Sequence, residues 1–171
     1  LTLNGTGIAS GGALMNSGAA ASYAGLVALG SDSSIIGGTG AIALSNAGTI
    51  SGTGYALTLG GAAGGGVTSI IGTGSGTLIK QDAGSWTLNG ANTYTGTTTV
   101  SAGVLKAGNA NAFGPSSGAG AISVASGAAL DLNGKTIAST GALTLNGTGI
   151  SNGGALMNSG GAARYSGLIS V

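Results

Sequence analysis

GSGTLIKQDAGSWTLNGANTYTGTTTVSAGVLKAGNANAFG, residues 74–114, alternates apolar and polar side chains in short runs that glycine keeps interrupting. Within it, WTLNG at 86–90 places Trp86 and Leu88 on either side of Thr87 and ends on Asn-Gly. Period-2 alternation closed by a turn pair is the pattern of a very short β-strand. The pattern recurs along the chain: LTLNG at 1–5, LTLGG at 57–61, LDLNG at 130–134 and LTLNG at 143–147. AIALS at 41–45 and AISVA at 121–125 share the same apolar–x–apolar centre. In such strands Leu1 and Leu3, or Leu130 and Leu132, point to one side, while Thr2 or Asp131 points to the other, and a solvent-facing slot of this kind is expected for Asp131.

Composition agrees with an all-β chain. Glycine contributes 39 of 171 residues without a strict every-third period, which excludes collagen, and 42% hydrophobic residues exclude a disordered linker. Glycine in a helix interior costs roughly 1 kcal/mol relative to alanine, and no window escapes it long enough to build a stable helix. Like strands recurring in series predict a coil in which each strand lies about 4.8 Å above its counterpart and pairs with the turns above and below. Asn and Gly then supply left-handed corners. Ordinary Asn-Gly hairpins in an antiparallel sandwich or barrel are the alternative.

A longer period overlies the short one. LTLNGTGIASGGALMNSGAAASYAGL at 1–26 returns as LTLNGTGISNGGALMNSGGAARYSGL at 143–168, identical at 21 of 26 positions with an offset of 142 residues. Residues 1–142 are therefore read as one full long unit of a solenoid, and 143–171 as the start of the next, near-identical unit. No basic segment followed by an apolar run opens the chain, which starts at Leu1, so it is expected to be part of a longer protein. No run of about 18 apolar residues is present to span a membrane as a helix.

The order of residues at 74–114 resembles the autotransporter-associated β-strand repeat, also called the passenger-associated transport repeat. Leu78, Lys80, Gly84, Trp86, Leu88, Gly90, Asn92, Tyr94, Gly96, Thr98, Val100, Gly103 and Leu105 fall on the family pattern. Asp82 stands where a small residue is usual, and Trp86 replaces an aliphatic. The resemblance implies a right-handed parallel β-helix, elongated, in a type V secreted protein of a Gram-negative bacterium. It implies a location at the cell surface, anchored in the outer membrane or released, with an outer-membrane β-barrel elsewhere in the parent. The repeat is then a non-enzymatic stalk, filament or adhesin passenger that serves export and folding. An adhesin module binding glycan or a host surface through aromatics is the alternative reading, and an ice-binding solenoid a remoter one.

The chemistry-bearing residues are few. Histidine, cysteine and glutamate are absent, and the net charge of +1 comes from Lys80, Lys106, Lys135 and Arg164 against Asp32, Asp82 and Asp131. That excludes a nucleic-acid footprint, which needs a basic stripe. The acids are too scattered along the chain for a carboxylate pair or a metal cage, so no catalytic residue, metal ligand or cofactor is expected. GGAAGGGV at 60–67 has the glycines of a calcium-binding turn and none of its aspartates. Thr93, Thr95, Thr97, Thr98 and Thr99 form a threonine run that appears once, where an ice-binding face would need it on successive coils.

Two residue sets carry structural or binding expectations. Asn4, Asn89, Asn133 and Asn146 follow the apolar pair in four strands and are candidates for a stacked amide ladder. Tyr23 and Tyr165, equivalent in the two long copies, are candidates for glycan contact, repeated along the fibre, against a plain covering role for the coil. The expected partners are further copies of the same repeat, in the same chain or end to end, with host or abiotic surfaces or glycans beyond them.

Overall fold

Most apolar–x–apolar segments form a strand with both apolar side chains inside: Leu57 and Leu59, Trp86 and Leu88, and Ile122 and Val124 are fully buried. Leu1, in contrast, lies outside the opening strand Thr2–Gly5 and is half exposed, so only Leu3 of that pair is inside. The middle residue turns outward, as Ala43 does between Ile42 and Leu44. Strands this short cannot fill a sheet face alone, so each lies on the equivalent strand of the next turn. The computed structural model, which describes all of residues 1–171, is accordingly a β-solenoid of about six turns with every strand pairing parallel. The antiparallel alternative is thereby excluded, because sequential strands stack with a turn of chain between them instead of meeting in hairpins.

The coil has three sides. Strands Leu57–Gly60, Leu78–Lys80, Thr98–Val100, Ile122–Val124 and Leu143–Leu145 build the first. Strands Ile42–Leu44, Gly65–Val67, Ser85–Leu88, Gly103–Ala107 and Ala128–Asp131 build the second. The third is irregular: Thr49–Ile50 pairs with Ile70–Ile71 and Thr136–Ile137 with Arg164–Tyr165, and loops take the place of strands in the turns between them. Along the first side, Ile35, Leu59, Lys80, Val100, Val124 and Leu145 stand in one inward column. Along the second, Ile42, Gly65, Trp86, Leu105 and Leu130 stand in another.

Not every Asn-Gly corner uses a left-handed backbone. Gly5, Gly134 and Gly147 have φ of 73°, 70° and 87°, and Asn133 joins them at 47°. Gly90 has no such φ, and its glycine is required by proximity: a Cβ there would stand 2.3 Å from the Ser69 carbonyl oxygen of the coil beneath. The expected corner chemistry therefore divides between conformation and close packing.

The two long copies are placed differently. Residues 1–26 stack on the coil that follows, with Leu14 paired to Ile35 and Tyr23 to Leu44. Residues 143–168 stack on the coil that precedes, with Leu156 paired to Leu130 and Tyr165 to Ile137.

Candidate functional site

The chemistry of this molecule lies inside the coil, between residues 78 and 113. The Leu78–Lys80 strand alternates in–out–in, so Lys80 is carried into the interior beside Leu78 and is completely buried. Its Nζ donates to the carbonyl oxygens of Gln81 and Asp82, both at 2.7 Å, and of Ala102 in the next turn at 2.8 Å. An ammonium has three donors, and all three are used. Asp82 adopts φ 61° at this corner, and Gly103 passes so close that a Cβ would stand 2.7 Å from the lysine nitrogen. Burial pulls the Lys80 pKa from 10.5 down to about 8, against the opposing pull of the Asp82 carboxylate.

Three neighbours extend this buried polar set. Trp86 is completely buried and donates its indole N–H to the Gly60 carbonyl at 3.0 Å. Its ring fits because the coil beneath carries Gly65 in the same column, where a Cβ would lie 3.0 Å from the ring. Asn92 accepts the Ile71 N–H at 2.8 Å from the turn below and donates to the Ala112 carbonyl at 2.7 Å in the turn above. It therefore replaces the strand ladder where the third side has none. The Tyr94 hydroxyl lies 2.8 Å from Thr98 Oγ1, and burial raises its pKa.

The carboxylates serve the backbone. Asp32 accepts the Ala56 N–H at 2.8 Å, and Asp82 the Gly61 N–H at 2.7 Å. Asp131 points outward from its strand, yet it is only 3% exposed, contrary to the solvent-facing slot expected of it. It accepts the N–H groups of Asn133 and Ser159 at 2.8 and 3.0 Å and the Ser159 hydroxyl at 2.6 Å, with Lys106 Nζ at 3.5 Å. Burial alone would raise its pKa; the hydrogen bonds from Ser159 and Asn133, and Lys106, outweigh that and lower it.

The asparagines do not form one ladder. Asn4 lies within the opening strand Thr2–Gly5 and Asn146 directly after the first-side strand Leu143–Leu145, at opposite ends of the stack, while Asn89 and Asn133 follow second-side strands with Gly108 between them. Asn133 and Asn146 donate instead to backbone carbonyls of the coil beneath, Ala107 at 2.8 Å and Val124 at 3.0 Å. Tyr23 and Tyr165 are half-buried, their rings packed against the core, and the Tyr165 hydroxyl donates to the Gly141 carbonyl at 2.6 Å. Of the threonine run, Thr98 is buried; Thr99 stands outward in a column with Thr58, Ile79, Ser123 and Thr144, where Ile79 interrupts the hydroxyls.

Lys80 and Asn92 as interior staples were not singled out from sequence, although a signal was present. In a two-residue period, Lys80 shares the side of Leu78.

Comparison with known proteins places the same segment in a family. Residues 78–107 match the family described as passenger-associated-transport-repeat, and the chain thus carries an autotransporter passenger repeat. The chain is also 41% identical over 100 residues to the adhesin BmaC autotransporter of Brucella suis biovar 1 (strain 1330), a match covering 58% of this chain and 2% of that protein. The chain therefore spans a small fraction of the relative's length. No solved structure matches it.

Proposed function

We propose that the chain is a non-enzymatic structural repeat of a secreted bacterial surface protein, a length of passenger stalk lying outside the cell. The observation that carries this reading is the coincidence of the passenger repeat at 78–107 with the buried set Lys80, Trp86, Asn92 and Tyr94. The family pattern falls on the side chains that tie consecutive turns together, which is what an extended rod needs. The similarity to an adhesin autotransporter supports a parent that is displayed at the surface and anchored by a β-barrel encoded elsewhere. No helix here is long and apolar enough to cross a membrane. Residues 1–142 act as the repeating length element, and adhesion resides elsewhere on the parent.

Electron microscopy of intact cells labelled with an antibody to this chain tests the proposal. Label at regular intervals along thin surface fibres is expected. Label found only after the cells are opened overturns it.

A further inference from the structure

The two copies of the repeated segment are seen from opposite sides, one through the coil above it and one through the coil below. The coil itself is the same object in both. Gly7 and Ala9 have φ, ψ of 73°, −177° and 49°, 35°; Gly149 and Ser151 have 77°, −167° and 50°, 36°. The loops are closed by matching hydrogen bonds, Gly12 N–H to Thr6 at 2.7 Å and Gly154 N–H to Thr148 at 2.9 Å. Asn16 donates to Ala19 at 2.7 Å and Asn158 to Gly161 at 2.6 Å. The same side chains turn inward: Leu14 and Leu156, Tyr23 and Tyr165. One pairing is present in both copies, Thr2 with Ala28 and Thr144 with Ser170.

What differs is the side of the rod. Through the coil above, Leu14 heads the first-side column of Ile35 and Leu59, and Tyr23 the second-side column of Leu44 and Val67. Through the coil below, Leu156 continues the second-side column of Leu105 and Leu130, and Tyr165 the third-side column of Ile137. The opening strand shifts in the same sense. Leu143–Leu145 continues the first side, whereas Thr2 pairs with Ala28, which bridges to Ser51 at the end of the third.

We infer that the uncovered edge of residues 143–170 is the docking surface for a second copy of the unit, and that a coil between two units makes both sets of pairings at once. Each 142-residue unit then winds six turns and one further side. Consecutive units are rotated by about 120° and raised by about 30 Å, at roughly 4.8 Å per turn of a three-sided coil. A surface residue such as Lys106 is displayed on each side of the rod in rotation and returns to its first azimuth at every third unit. A partner approaching from any direction meets the same surface. The inference rests on residues 1–142 repeating in tandem, and is independent of where the parent protein is located.

The test is a longer chain in which residues 30–171 are repeated after Val171. Arg164→Cys is paired with Thr136→Cys, with Ala43→Cys of the appended unit, or with Thr49→Cys of the appended unit, and disulfide formation is read by mass spectrometry after mild oxidation. The Thr136 pair reports that the coil is folded on its lower side and is expected to close. Closure with the appended Ala43→Cys is expected as well, as Ser22 pairs with Ala43 in the first copy. Closure with the appended Thr49→Cys in its place means face-for-face stacking and overturns the inference, as does failure of both upper pairs while the lower pair closes.

Discussion

The coils at 78–113 and the two near-identical segments that bracket them are held together by different means. In the central coils the largest fully buried side chains are Trp86, Tyr94, Lys80 and Phe113, three of them bearing polar atoms bonded to backbone or neighbour. The segments at 1–26 and 143–168 have almost no fully buried side chain; Leu14, Leu156, Tyr23 and Tyr165 are only partly covered. The central coils are specific: Trp86 needs Gly65, and Lys80 needs Gly103 and the Ala102 carbonyl. The bracketing segments are permissive, since one sequence stacks on two different sides of the rod.

Trp86→Ala attacks the specific half most directly. It empties the interior and leaves the Gly60 carbonyl unpaired, so a loss of about 3–5 kcal/mol is expected. Denaturant unfolding measures the loss. Hydrogen exchange should also show the opening confined to the turns around residues 60–107, with residues 1–26 little changed. Equal loss of protection everywhere would erase the contrast between the two regions.

Asn92→Ala comes next. It strips partners from the buried Ile71 N–H and the Ala112 carbonyl, and a loss of about 2–4 kcal/mol is expected in the same unfolding experiment. A loss under about 0.5 kcal/mol, the level of an ordinary surface change, would mean that the third side does not depend on this staple.

Lys80 yields a pH signature peculiar to the central coils. Its folded pKa of about 8 lies below the ordinary 10.5, so between those values the unfolded chain holds a proton that the folded protein has released. Stability therefore rises as pH increases from 8 to 10.5 and is flat below that window. Thermal melts across the range should show the rise in the native protein and lose it in Lys80→Met.

The smallest effect sharpens the other half of the comparison. Leu14→Ala and Leu156→Ala are equivalent changes on different sides of the rod, each only partly buried, and each should cost about 1 kcal/mol. Hydrogen exchange should place the first loss on the first-side residues 33–37 and the second on the second-side strand Ala128–Asp131. Loss on the same side of the rod for both would mean that the copies do not occupy different sides.

Much of the architecture was legible beforehand. The apolar–x–apolar strands appear where the alternation put them, and the passenger repeat lies on the predicted residues. The candidate sites were less legible. Asn4, Asn89, Asn133 and Asn146 share a slot in sequence but are divided between two sides of the coil, because slot equivalence gives the position within a strand and says nothing about which strand it is. Tyr23 and Tyr165 occupy equivalent slots in the two copies, and only the folded coil shows each of them half-buried against the core. Asp131 was expected in water and is covered by Ser159 and Lys106, contributed by other turns.

By itself the sequence determined the strand period, the stacking of like strands in parallel, the inward residues of most strands and the near-identity of residues 1–26 and 143–168. These follow from local alternation and from self-similarity, and both are properties of the chain alone. Only the tertiary structure decided which side of the rod a given strand occupies. Turns of 20 to 28 residues, read from the partner offsets along the first side, can close with the same inward residues in more than one azimuth. The choice is made by the neighbouring coil, whose backbone hydrogen bonds and inward columns the incoming strand must meet, and nothing within residues 1–26 encodes that neighbour.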